Sequence, residues 1–253
     1  MATILIVGAN QGIGYYMAKR LLELNHQLAI LDINIDQLED LKQRYPGKLL
    51  SVVADAKDEN SIRAGVEETL VKFNSIDCAI HNACLCSFDS EPDSDYALYK
   101  QVMDINYFGA LRLAKLVLPV MRSARKGRII FTSSGVGVTG YGNISPYASS
   151  KGAIESLAKC LAIENQAYNI SFHIMHPPLT KTVSSSGLAI PQEFMVDAGR
   201  VGRGLADHIW SKDYLICHSL MQKIQMLICY RFPLSMGKMM WKMSLKAKNE
   251  NQN

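Results

Sequence analysis

The stretch TILIVGANQGIGYYMAKRLLEL (3–24) decides the fold of this chain. Its first part, TILIVG (3–8), is an apolar, β-branched run that ends in glycine, as buried strands often do. Apolar residues then recur at helical spacing from Ile13 to Leu24. The stretch therefore predicts a buried strand followed closely by a helix at 12–24, the opening of a β-α-β unit.

Three glycines, Gly8, Gly12 and Gly14, occupy the turn between this strand and this helix. Glycine lets the backbone turn tightly and approach a pyrophosphate, which then meets the free N–H groups at the helix N-terminus. Since a strand precedes the turn and a helix follows it, the pattern predicts a dinucleotide site, the alternative being a structural tight turn. The predicted contacts in the turn are Gly8, Asn10, Gln11, Gly12, Ile13 and Gly14.

Short apolar runs and longer helical patterns keep alternating to residue 219. Strands are predicted at 27–33, 48–56, 76–83, 127–134, 170–177 and 213–219, and helices at 34–45, 58–74, 95–124, 147–166 and 200–210. Continuous apolar strands between helices indicate a parallel sheet covered on both faces, and right-handed crossovers make it doubly wound. The predicted fold class is α/β, a doubly wound parallel sheet (Rossmann fold), with one domain at 1–219 and a C-terminal appendage at 220–253.

Asp32 ends the second predicted strand, where its carboxylate can accept hydrogen bonds from both adenosine ribose hydroxyls. A 2′-phosphate at the same place would be repelled. Neither the glycine turn nor Ile33 and Asn34, which follow Asp32, supplies a lysine or arginine. The sequence therefore favours NAD over NADP, with Ile33 as a further contact. The alternative is a helix-capping aspartate, although Asn34 can serve as the cap.

Composition excludes several classes of function. The chain has 253 residues, is 48% hydrophobic and 20% charged, and has a net charge of +4. It has no basic stripe interleaved with aromatics, so nucleic acid is not an expected partner. Six cysteines show no CxxC spacing and no grouping with histidine, so we expect no metal site and reduced thiols in a cytoplasmic compartment. Cys84 and Cys86, two positions apart, are expected to be too close for easy bridging. Neither a signal peptide nor an apolar run of membrane-spanning length is expected.

The stretch SPYASSKGAI (145–154) places Tyr147 and Lys151 one helical turn apart. A free tyrosine has a pKa of about 10 and is a poor base at neutral pH. An adjacent ammonium favours the phenolate, so the pair can take a hydroxyl proton while hydride leaves the carbon. The small residues between the two are expected to let this helix face approach a cofactor closely and leave the pair unshielded on the cofactor side. The alternative is a surface helix with a chance pair.

With these motifs the sequence resembles the short-chain dehydrogenase/reductase family over about residues 3–182. In the family's order, the matching elements are the glycine turn (8–14), Asp55-Ala56, HNAC (81–84), Asn106, Ser134, Tyr147-Ala-Ser-Ser-Lys151 and HPPLTKT (176–182). Ser134 precedes Tyr147 by thirteen residues, the family's usual spacing. The chain departs from the family pattern at His81, Cys84 and Pro178, which replace an asparagine and two glycines.

The resemblance implies an NAD(P)-dependent oxidoreductase acting on a CH–OH group. Tyr147 would be the acid or base and Ser134 would hold the substrate oxygen. Lys151 would also bind the nicotinamide ribose, and Asn106 would anchor a water that links Lys151 to solvent. Ser133 competes with Ser134, although the spacing favours Ser134, and Asn106 has the alternative of a buried helix asparagine. The resemblance also implies cofactor contacts at Asp55, Ala56, Asn82, Ala83, Tyr147, Lys151, Pro177, Thr180 and Thr182.

Two further segments bear on the substrate and partners. The resemblance implies a mobile substrate lid at 179–200, the alternative being an ordinary surface loop, and its apolar residues hint at an apolar secondary alcohol or ketone. Residues 220–248 carry six Lys and Arg, no acid and six of the twelve methionines. This basic, amphipathic pattern predicts either contact with an anionic membrane surface or packing on the domain or on a partner subunit.

The resemblance also places a homodimer contact at the helices 95–124 and 147–166. His173 and His176 are predicted to be structural, because no carboxylate cluster accompanies them in the sequence. Two functions besides the dehydrogenase stay open: a dinucleotide-binding redox sensor without turnover, and a peripheral membrane protein that acts through its C-terminal tail.

Overall fold

The computed structural model describes residues 1–188, 190 and 192–250 of the chain. Its strands are β1 (Thr3–Val7), β2 (Gln27–Asp32), β3 (Leu49–Val53), β4 (Cys78–His81), β5 (Gly127–Thr132), β6 (Ile170–His176), β7 (Thr180–Lys181), β8 (Val196–Asp197) and β9 (Leu215–Cys217). Seven of them form one parallel sheet in the order β3-β2-β1-β4-β5-β6-β9, and β7 pairs with β8 in a separate short ladder. The predicted doubly wound parallel sheet is confirmed.

Helices cover both faces of the sheet. They are α1 (Gly12–Glu23), α2 (Glu39–Arg44), α3 (Glu59–Phe73), α4 (Tyr96–Met103), α5 (Gly109–Ala124), α6 (Val136–Thr139), α7 (Ser145–Glu164), α8 (Ala198–His208), α9 (Leu220–Arg231) and α10 (Pro233–Glu250). A π-helical turn at Asp104–Phe108 joins α4 to α5, so the long helix predicted at 95–124 is interrupted. Such turns are frequent at functional sites.

Two hydrophobic cores lie on opposite faces of the sheet, and β1 contributes to both. Leu5 and Val7 pack with side chains from α3, α5 and α7. Ile4 and Ile6 pack with side chains from α1 and α8. Successive side chains of a strand point to opposite faces, so a strand buried on both faces must be apolar at every position. This explains the unbroken apolar run from which the fold was predicted.

The strand order reverses between β1 and β4. The chain runs outward through β2 and β3 and then returns to pair β4 with β1. In open α/β sheets, ligands bind in the crevice outside the carboxyl ends of the strands at this switch point. The topology therefore brings the ends of β1, β4 and β5 to the place where a binding site is expected.

Several helix starts differ from the prediction, and α2 and α7 are two examples. Asn34 does not cap an α-helix: its Oδ1 accepts a hydrogen bond from the Asp36 N–H at 2.8 Å and opens a 3₁₀ turn, and α2 begins only at Glu39. Helix α7 begins at Ser145, before the predicted start at residue 147. Pro146 suits the first turn of a helix because that turn needs no N–H donor there.

The described part of the C-terminal appendage packs on the domain. Helix α9 contacts β9 and α6, and α10 contacts α6 and α9. Ser219 caps α9 by accepting a hydrogen bond from the Gln222 N–H at 3.3 Å. The Trp241 ring meets the Tyr141 ring edge-on, with centroids 5.4 Å apart. The last residues of the appendage, 251–253, lie outside the described residues. None of the described helices combines the length and apolarity needed to cross a bilayer.

Candidate active site

A cavity of about 1200 Å³ lies at the carboxyl ends of β1, β4 and β5. Nearly all the residues predicted for the site line it. They are Gly8, Asn10, Gln11, Gly12, Ile13, Asp32, Ile33, Asp55, Ala56, Asn82, Ala83, Ser134, Tyr147, Lys151, Pro177, Thr180 and Thr182. Gly14 and Asn106 are not among its lining residues. One space thus joins the predicted dinucleotide contacts to the predicted catalytic side chains.

The glycine turn is packed too closely for side chains. Gly8 has φ +88, and a Cβ there would lie 2.5 Å from the Ala83 Cα. A Cβ on Gly14 would lie 2.8 Å from the Ala9 Cα, so Gly14 allows α1 to start directly against the turn although it does not line the cavity. The Asn82 side-chain amide donates to the Gly8 carbonyl at 2.6 Å and ties the turn to the loop after β4. This backbone-lined cradle at a helix N-terminus fits a pyrophosphate.

Asp32 lies beside the glycine turn. Its Oδ2 accepts a hydrogen bond from the Asn10 N–H at 2.9 Å, which links the end of β2 to the turn. The side chain of Ile33 is 72% exposed at the cavity edge. Asp55 pairs with Lys57, whose Nζ lies 3.6 Å from its Oδ2. Lys57 also lines the cavity, and no sequence motif singled it out.

Tyr147 and Lys151 lie on α7, and both line the cavity. Lys151 is only 1% exposed, and its Nζ donates to the Thr132 carbonyl at 2.7 Å. The same Nζ lies 5.5 Å from the centroid of the Tyr147 ring. The lysine is therefore buried from bulk solvent and bound to the end of β5, while it still lines the cavity on the side where the cofactor is expected.

The pKa of Tyr147 is raised well above its ordinary value. Burial is the main cause, and negative charge on Cys84 and Cys86 acts in the same direction, while a hydrogen bond with the Ser134 hydroxyl opposes them. Burial thus outweighs the nearby Lys151 ammonium in setting this pKa, and the role of Lys151 in making the phenolate available stays a prediction. Tyr147 is thus held as a neutral phenol, the form that can donate a proton.

The small residues around Lys151 also allow two helices to pack closely, besides the access that they are predicted to leave for a cofactor. A Cβ on Gly137 of α6 would lie 2.8 Å from the Lys151 Cβ and 2.9 Å from the Gly152 N. Glycines on both sides therefore let α6 approach α7 closely. The prediction that the small residues serve the approach of a cofactor accounts for them only in part.

The two adjacent serines after β5 have different surroundings. Ser133 is 1% exposed, and its hydroxyl donates to Glu155 Oε1 at 2.9 Å. Both serines line the cavity, and only Ser134 is among the groups that act on the pKa of Tyr147. The role of Ser134 at the substrate oxygen stays a prediction.

Asn106 lies in the π-helical turn and is fully buried. Its Oδ1 accepts from the Leu85 N–H at 2.8 Å, and its Nδ2 donates to the Leu85 carbonyl at 3.0 Å and to the Ser150 hydroxyl at 2.9 Å. The side chain thus joins the loop after β4 to α7 beside Lys151. This is the structural role that stood as the alternative, and a water-anchoring role stays a prediction.

The segment after β6 closes on the glycine turn. A Cβ on Gly12 would lie 3.3 Å from the Thr182 Cγ2, so Thr182 lies against the turn. Thr180 pairs with Val196 in the β7–β8 ladder, which joins the two ends of the predicted lid. The carbonyl of Pro178 accepts a hydrogen bond from the Thr180 hydroxyl at 2.6 Å, so this turn is held although proline replaces the glycine. Ala189 and Pro191 of the lid lie outside the described residues.

His81 fills the place of the family's asparagine at the end of β4. It is 1% exposed, and among the described residues neither ring nitrogen has a hydrogen-bond partner. Burial lowers its pKa to about 3, and the Lys151 ammonium acts in the same direction. The ring is therefore neutral at physiological pH. No three histidine, cysteine or acidic side chains in the described part of the chain are grouped to hold a metal ion.

A buried polar cluster lies behind the site and joins His176 to a single carboxylate, Glu155. Glu155 accepts hydrogen bonds from Ser133 and, at 2.6 Å, from the Tyr230 hydroxyl. The His176 Nε2 lies 3.2 Å from Glu155 Oε1 and 3.0 Å from the Tyr230 oxygen. Burial alone would raise the pKa of Glu155, but hydrogen bonds from His176, Tyr230 and Ser133 hold it below its usual value. His173 hydrogen-bonds through Nδ1 to the Asp213 carbonyl at 2.7 Å, outside this cluster.

The C-terminal helices supply part of the cavity wall, which the sequence patterns did not indicate. The lining residues from α9 and α10 are Gln222, Gln225, Met226, Cys229, Met240, Met243, Ser244 and Lys246. The lid adds Val183, Leu188, Ile190 and Phe194. These segments therefore bring apolar side chains to the cavity wall together with the polar Gln222, Gln225, Ser244 and Lys246.

Comparison with known proteins agrees with this geometry. The family model for short chain dehydrogenase matches residues 2–190. An L-fucose dehydrogenase of Bos taurus is 29% identical over 175 residues, covering 69% of this chain and 64% of that protein. A 3-ketodihydrosphingosine reductase of Dictyostelium discoideum is 27% identical over 252 residues, covering 87% and 75% of the two chains. The structure of an NAD⁺-bound xylitol dehydrogenase matches with a TM-score of 0.74 at 25% identity, over 86% of this chain and 98% of that one.

The matched range contains the glycine turn, Asn82, Ser134, Tyr147 and Lys151, the residues that the cavity brings together. The chain spans less than two thirds of the length of the bovine relative. Family proteins of this kind bind a nicotinamide dinucleotide and act on CH–OH groups, in line with the resemblance seen in the sequence motifs. The chain belongs to the short-chain dehydrogenase/reductase family.

Proposed function

We propose that this protein transfers hydride between NAD and an apolar secondary alcohol or its ketone, with Tyr147 moving the proton. The observation that carries the proposal is the continuity of one cavity from the glycine turn to Tyr147, Ser134 and Lys151. Such a space holds an extended dinucleotide with its reactive end beside a phenol. The residues are those that the family uses for hydride transfer.

A bound dinucleotide would supply or accept the hydride. In the reducing direction, Tyr147 donates its hydroxyl proton to the oxygen of the forming alkoxide, and in the reverse direction it takes that proton back. The Ser134 hydroxyl donates a hydrogen bond to the same substrate oxygen and stabilises its developing charge. Lys151, fixed by the Thr132 carbonyl, has further donors for the nicotinamide ribose.

The apolar substrate is argued from the cavity wall. Phe88, Val183 and Leu188 line the cavity together with Phe194 and Met226. The similar proteins include a 3-ketodihydrosphingosine reductase and an L-fucose dehydrogenase, so their names alone do not indicate a substrate class. A wall that is mostly apolar favours a hydrocarbon-bearing ketone over a polyol, each of whose hydroxyls would need a polar partner.

A thermal shift of the purified protein with NAD, NADH, NADP and NADPH tests the proposal. A ligand that binds only the folded state stabilises it by about 2.7 kcal/mol at a hundred times its dissociation constant. We expect stabilisation by NAD or NADH, followed by turnover in a screen of apolar alcohols and ketones. Binding without turnover across a broad panel would instead favour a redox sensor. No stabilisation by any of the four would contradict the proposal.

The Asp32→Ala variant tests the choice of NAD. Removing the carboxylate deletes charge-assisted hydrogen bonds to the ribose, each contributing about 1.5–3 kcal/mol, so we expect NADH to bind roughly 10–100-fold more weakly. The same change removes repulsion of a 2′-phosphate, so NADPH should bind as well as before or better. Titration calorimetry with both dinucleotides measures the ratio. Asp36→Ala, an exposed acid in the next turn, is the matched control. An unchanged NADH-to-NADPH ratio would contradict the role of Asp32.

We further propose that the protein contacts anionic membranes through the outer face of α9 and α10, which we define by its exposed apolar side chains. They are Leu220, Met221, Ile224, Leu227, Ile228, Phe232, Leu234, Met239, Met243 and Leu245. Residues 220–248 contain no Asp or Glu, and each Lys or Arg near an anionic surface contributes about 1 kcal/mol. Met243 is 58% exposed and also lines the cavity, so this outer face reaches the cavity opening.

Vesicle sedimentation tests this contact. We expect the protein to bind vesicles of phosphatidylcholine with phosphatidylserine more tightly than phosphatidylcholine alone. Replacing Phe232 and Leu234 together by serine should weaken binding about tenfold or more, because both side chains are more than half exposed and available to the bilayer. Val71→Ser, an exposed apolar position on α3, is the control. Equal binding by the variant, or a concentration-dependent dimer that the same substitutions dissolve, would contradict the membrane contact.

The homodimer that the resemblance implies stays a prediction. Exposed large side chains lie where it was placed: Tyr96 on α4 is 87% exposed, Phe108 in the π-helical turn 45%, and Ile163 on α7 76%. All three would be covered if these helices met a second copy.

A further inference from the structure

Two thiols lie beside Tyr147 and have no part in the proposed hydride transfer. Cys84 and Cys86 follow β4 and line the cavity, with their Sγ atoms 3.9 Å apart. Cys84 occupies a position where the family pattern has glycine, and the sequence predicted that the two were too close in the chain to bridge easily. The structure instead holds their sulfurs in contact.

The reason for this contact lies in Leu85, the residue between them. The Asn106 side chain makes two hydrogen bonds to the Leu85 backbone. Its Oδ1 accepts from the Leu85 N–H at 2.8 Å, and its Nδ2 donates to the Leu85 carbonyl at 3.0 Å. Alternate residues of an extended chain point to the same side, so fixing the middle residue presents the two flanking thiols together. Residues 82–90 belong to neither helix nor strand, so no ladder resists a small adjustment. A disulfide needs the sulfurs about 2.05 Å apart, so they must approach by roughly 2 Å.

The two thiols also differ in reactivity. The hydrogen bond from Cys86 and, to a smaller extent, the charge of Lys151 lower the pKa of Cys84 to about 6 in spite of its burial. The pKa of Cys86 is raised by the same hydrogen bond and by burial. Thiolates are the nucleophilic form of cysteine, so Cys84 would attack and Cys86 would resolve.

We propose that Cys84 and Cys86 form an oxidisable dithiol at the reaction site, which a hydroperoxide converts to a disulfide that stops turnover. The Cys84 sulfur attacks the peroxide oxygen, the O–O bond breaks, and water or an alcohol leaves with Cys84 as a sulfenic acid. The Cys86 sulfur then attacks the Cys84 sulfur, the S–S bond forms, the S–O bond breaks, and the oxygen leaves as water with the Cys86 proton. The peroxide gains two electrons, one from each sulfur.

Tyr147 is the group that such a disulfide would affect. Tyr147 lines the same cavity as the two thiols, and both thiols raise its pKa. Closing the disulfide would move the Cys86 sulfur and the segment 82–90 that carries both thiols. A misplacement of about 1 Å at a reacting group can cost about a hundredfold in rate. The loss of turnover rests on the proposed function, whereas formation of the disulfide does not.

Peptide mapping of the full-length protein after treatment with hydrogen peroxide tests the proposal. We expect a Cys84–Cys86 link that dithiothreitol reverses, formed before oxidation of Cys160, an exposed thiol on α7. The link should form equally in Cys160→Ser, while Cys86→Ser should stop at oxidised Cys84. Oxidation of Cys160 with Cys84 and Cys86 left as thiols would overturn the proposal, as would sulfinic acid at Cys84 without a link.

Turnover of the same samples tests whether the disulfide stops activity. We expect about a hundredfold loss of activity on oxidation, restored by dithiothreitol, with dinucleotide binding retained in the thermal shift. A complete Cys84–Cys86 disulfide with unchanged turnover would overturn the proposal that the disulfide stops activity. A protein that forms the link but never turns over any substrate would contradict the proposed function and leave the dithiol chemistry supported.

Discussion

The Tyr147→Phe variant is expected to lose roughly 10²–10⁴-fold in kcat while it binds NADH as tightly as the unaltered protein. The substitution removes the hydroxyl that moves the proton and keeps the ring, which lies 5.5 Å from the Lys151 ammonium. The packing of α7 and the position of Lys151 should therefore be preserved. Steady-state rates with the substrate found in the screen, and a fluorescence titration of NADH, measure the two effects separately.

Tyr168→Phe is the matched control for this variant. Tyr168 is 37% exposed, lies beyond the C-terminus of α7 and does not line the cavity. We expect its activity to stay within a factor of about two, because changes at surface positions usually alter stability by less than 0.5 kcal/mol. If Tyr147→Phe kept more than a tenth of the activity, another group would have to donate the proton, and the role of Tyr147 would be wrong.

The pH dependence of the unaltered protein bears on the same residue. Reduction of a ketone needs protonated Tyr147, whose pKa burial raises above the ordinary value of about 10. In the complex with NADH, whose nicotinamide is uncharged, kcat/KM for the ketone should stay level from neutral pH to about 10 and fall only above it. A fall near neutral pH would show that the charge of Lys151 outweighs burial. Tyr147→Phe should lose this dependence.

Local sequence patterns predict most of the candidate site, because its residues directly follow strands that the same patterns predict. The glycine turn follows β1, Asp32 ends β2, and Ser134 follows β5. In a parallel sheet all these carboxyl ends meet at one edge, so predicting the strands also places the residues together. The spacing to Tyr147 favours Ser134 over Ser133, and in the structure the Ser133 hydroxyl is bound to Glu155.

Three features depended on contacts that a single sequence does not encode. The pKa of Tyr147 is set by how much of its surroundings is water, and the spacing of Lys151 says nothing about that. Cys84 and Cys86 flank Leu85, whose backbone is fixed by two hydrogen bonds with Asn106. The wall from α9 and α10 comes from residues beyond the range that matches the family. Tertiary packing decides each of these.

The Glu155→Ala variant is expected to lower the free energy of unfolding by about 3–5 kcal/mol, as the loss of one partner in a buried charged cluster does. Glu155 is 5% exposed and accepts from Ser133 and Tyr230, with His176 3.2 Å away. Its removal deletes the charged acceptor that these buried polar groups share. For a protein of this size, the loss corresponds to a fall in Tm on the order of 10 °C. Urea unfolding and calorimetry measure it.

The stability that Glu155 contributes should fall as the pH is lowered into the acid range. The pKa of Glu155 is lower in the folded protein than its usual value of about 4.3. The contribution of its charge is therefore fully present above about pH 4.3 and is lost as the pH falls through the lower, folded value. The difference in stability between Glu155→Ala and the unaltered protein should accordingly be largest near neutral pH and shrink in acid.

Tyr230→Phe separates the attachment of α9 from the rest of the cluster. This variant removes one hydrogen bond to a charged group, so we expect a loss of about 1.5–3 kcal/mol and faster proteolysis near Ser219, where α9 begins. Glu164→Ala, an exposed acid on the same helix as Glu155, should change stability by less than about 0.5 kcal/mol. If Glu155→Ala were no less stable than Glu164→Ala, the cluster would not hold the C-terminal helices on the domain. The cavity wall that they form would then need another support.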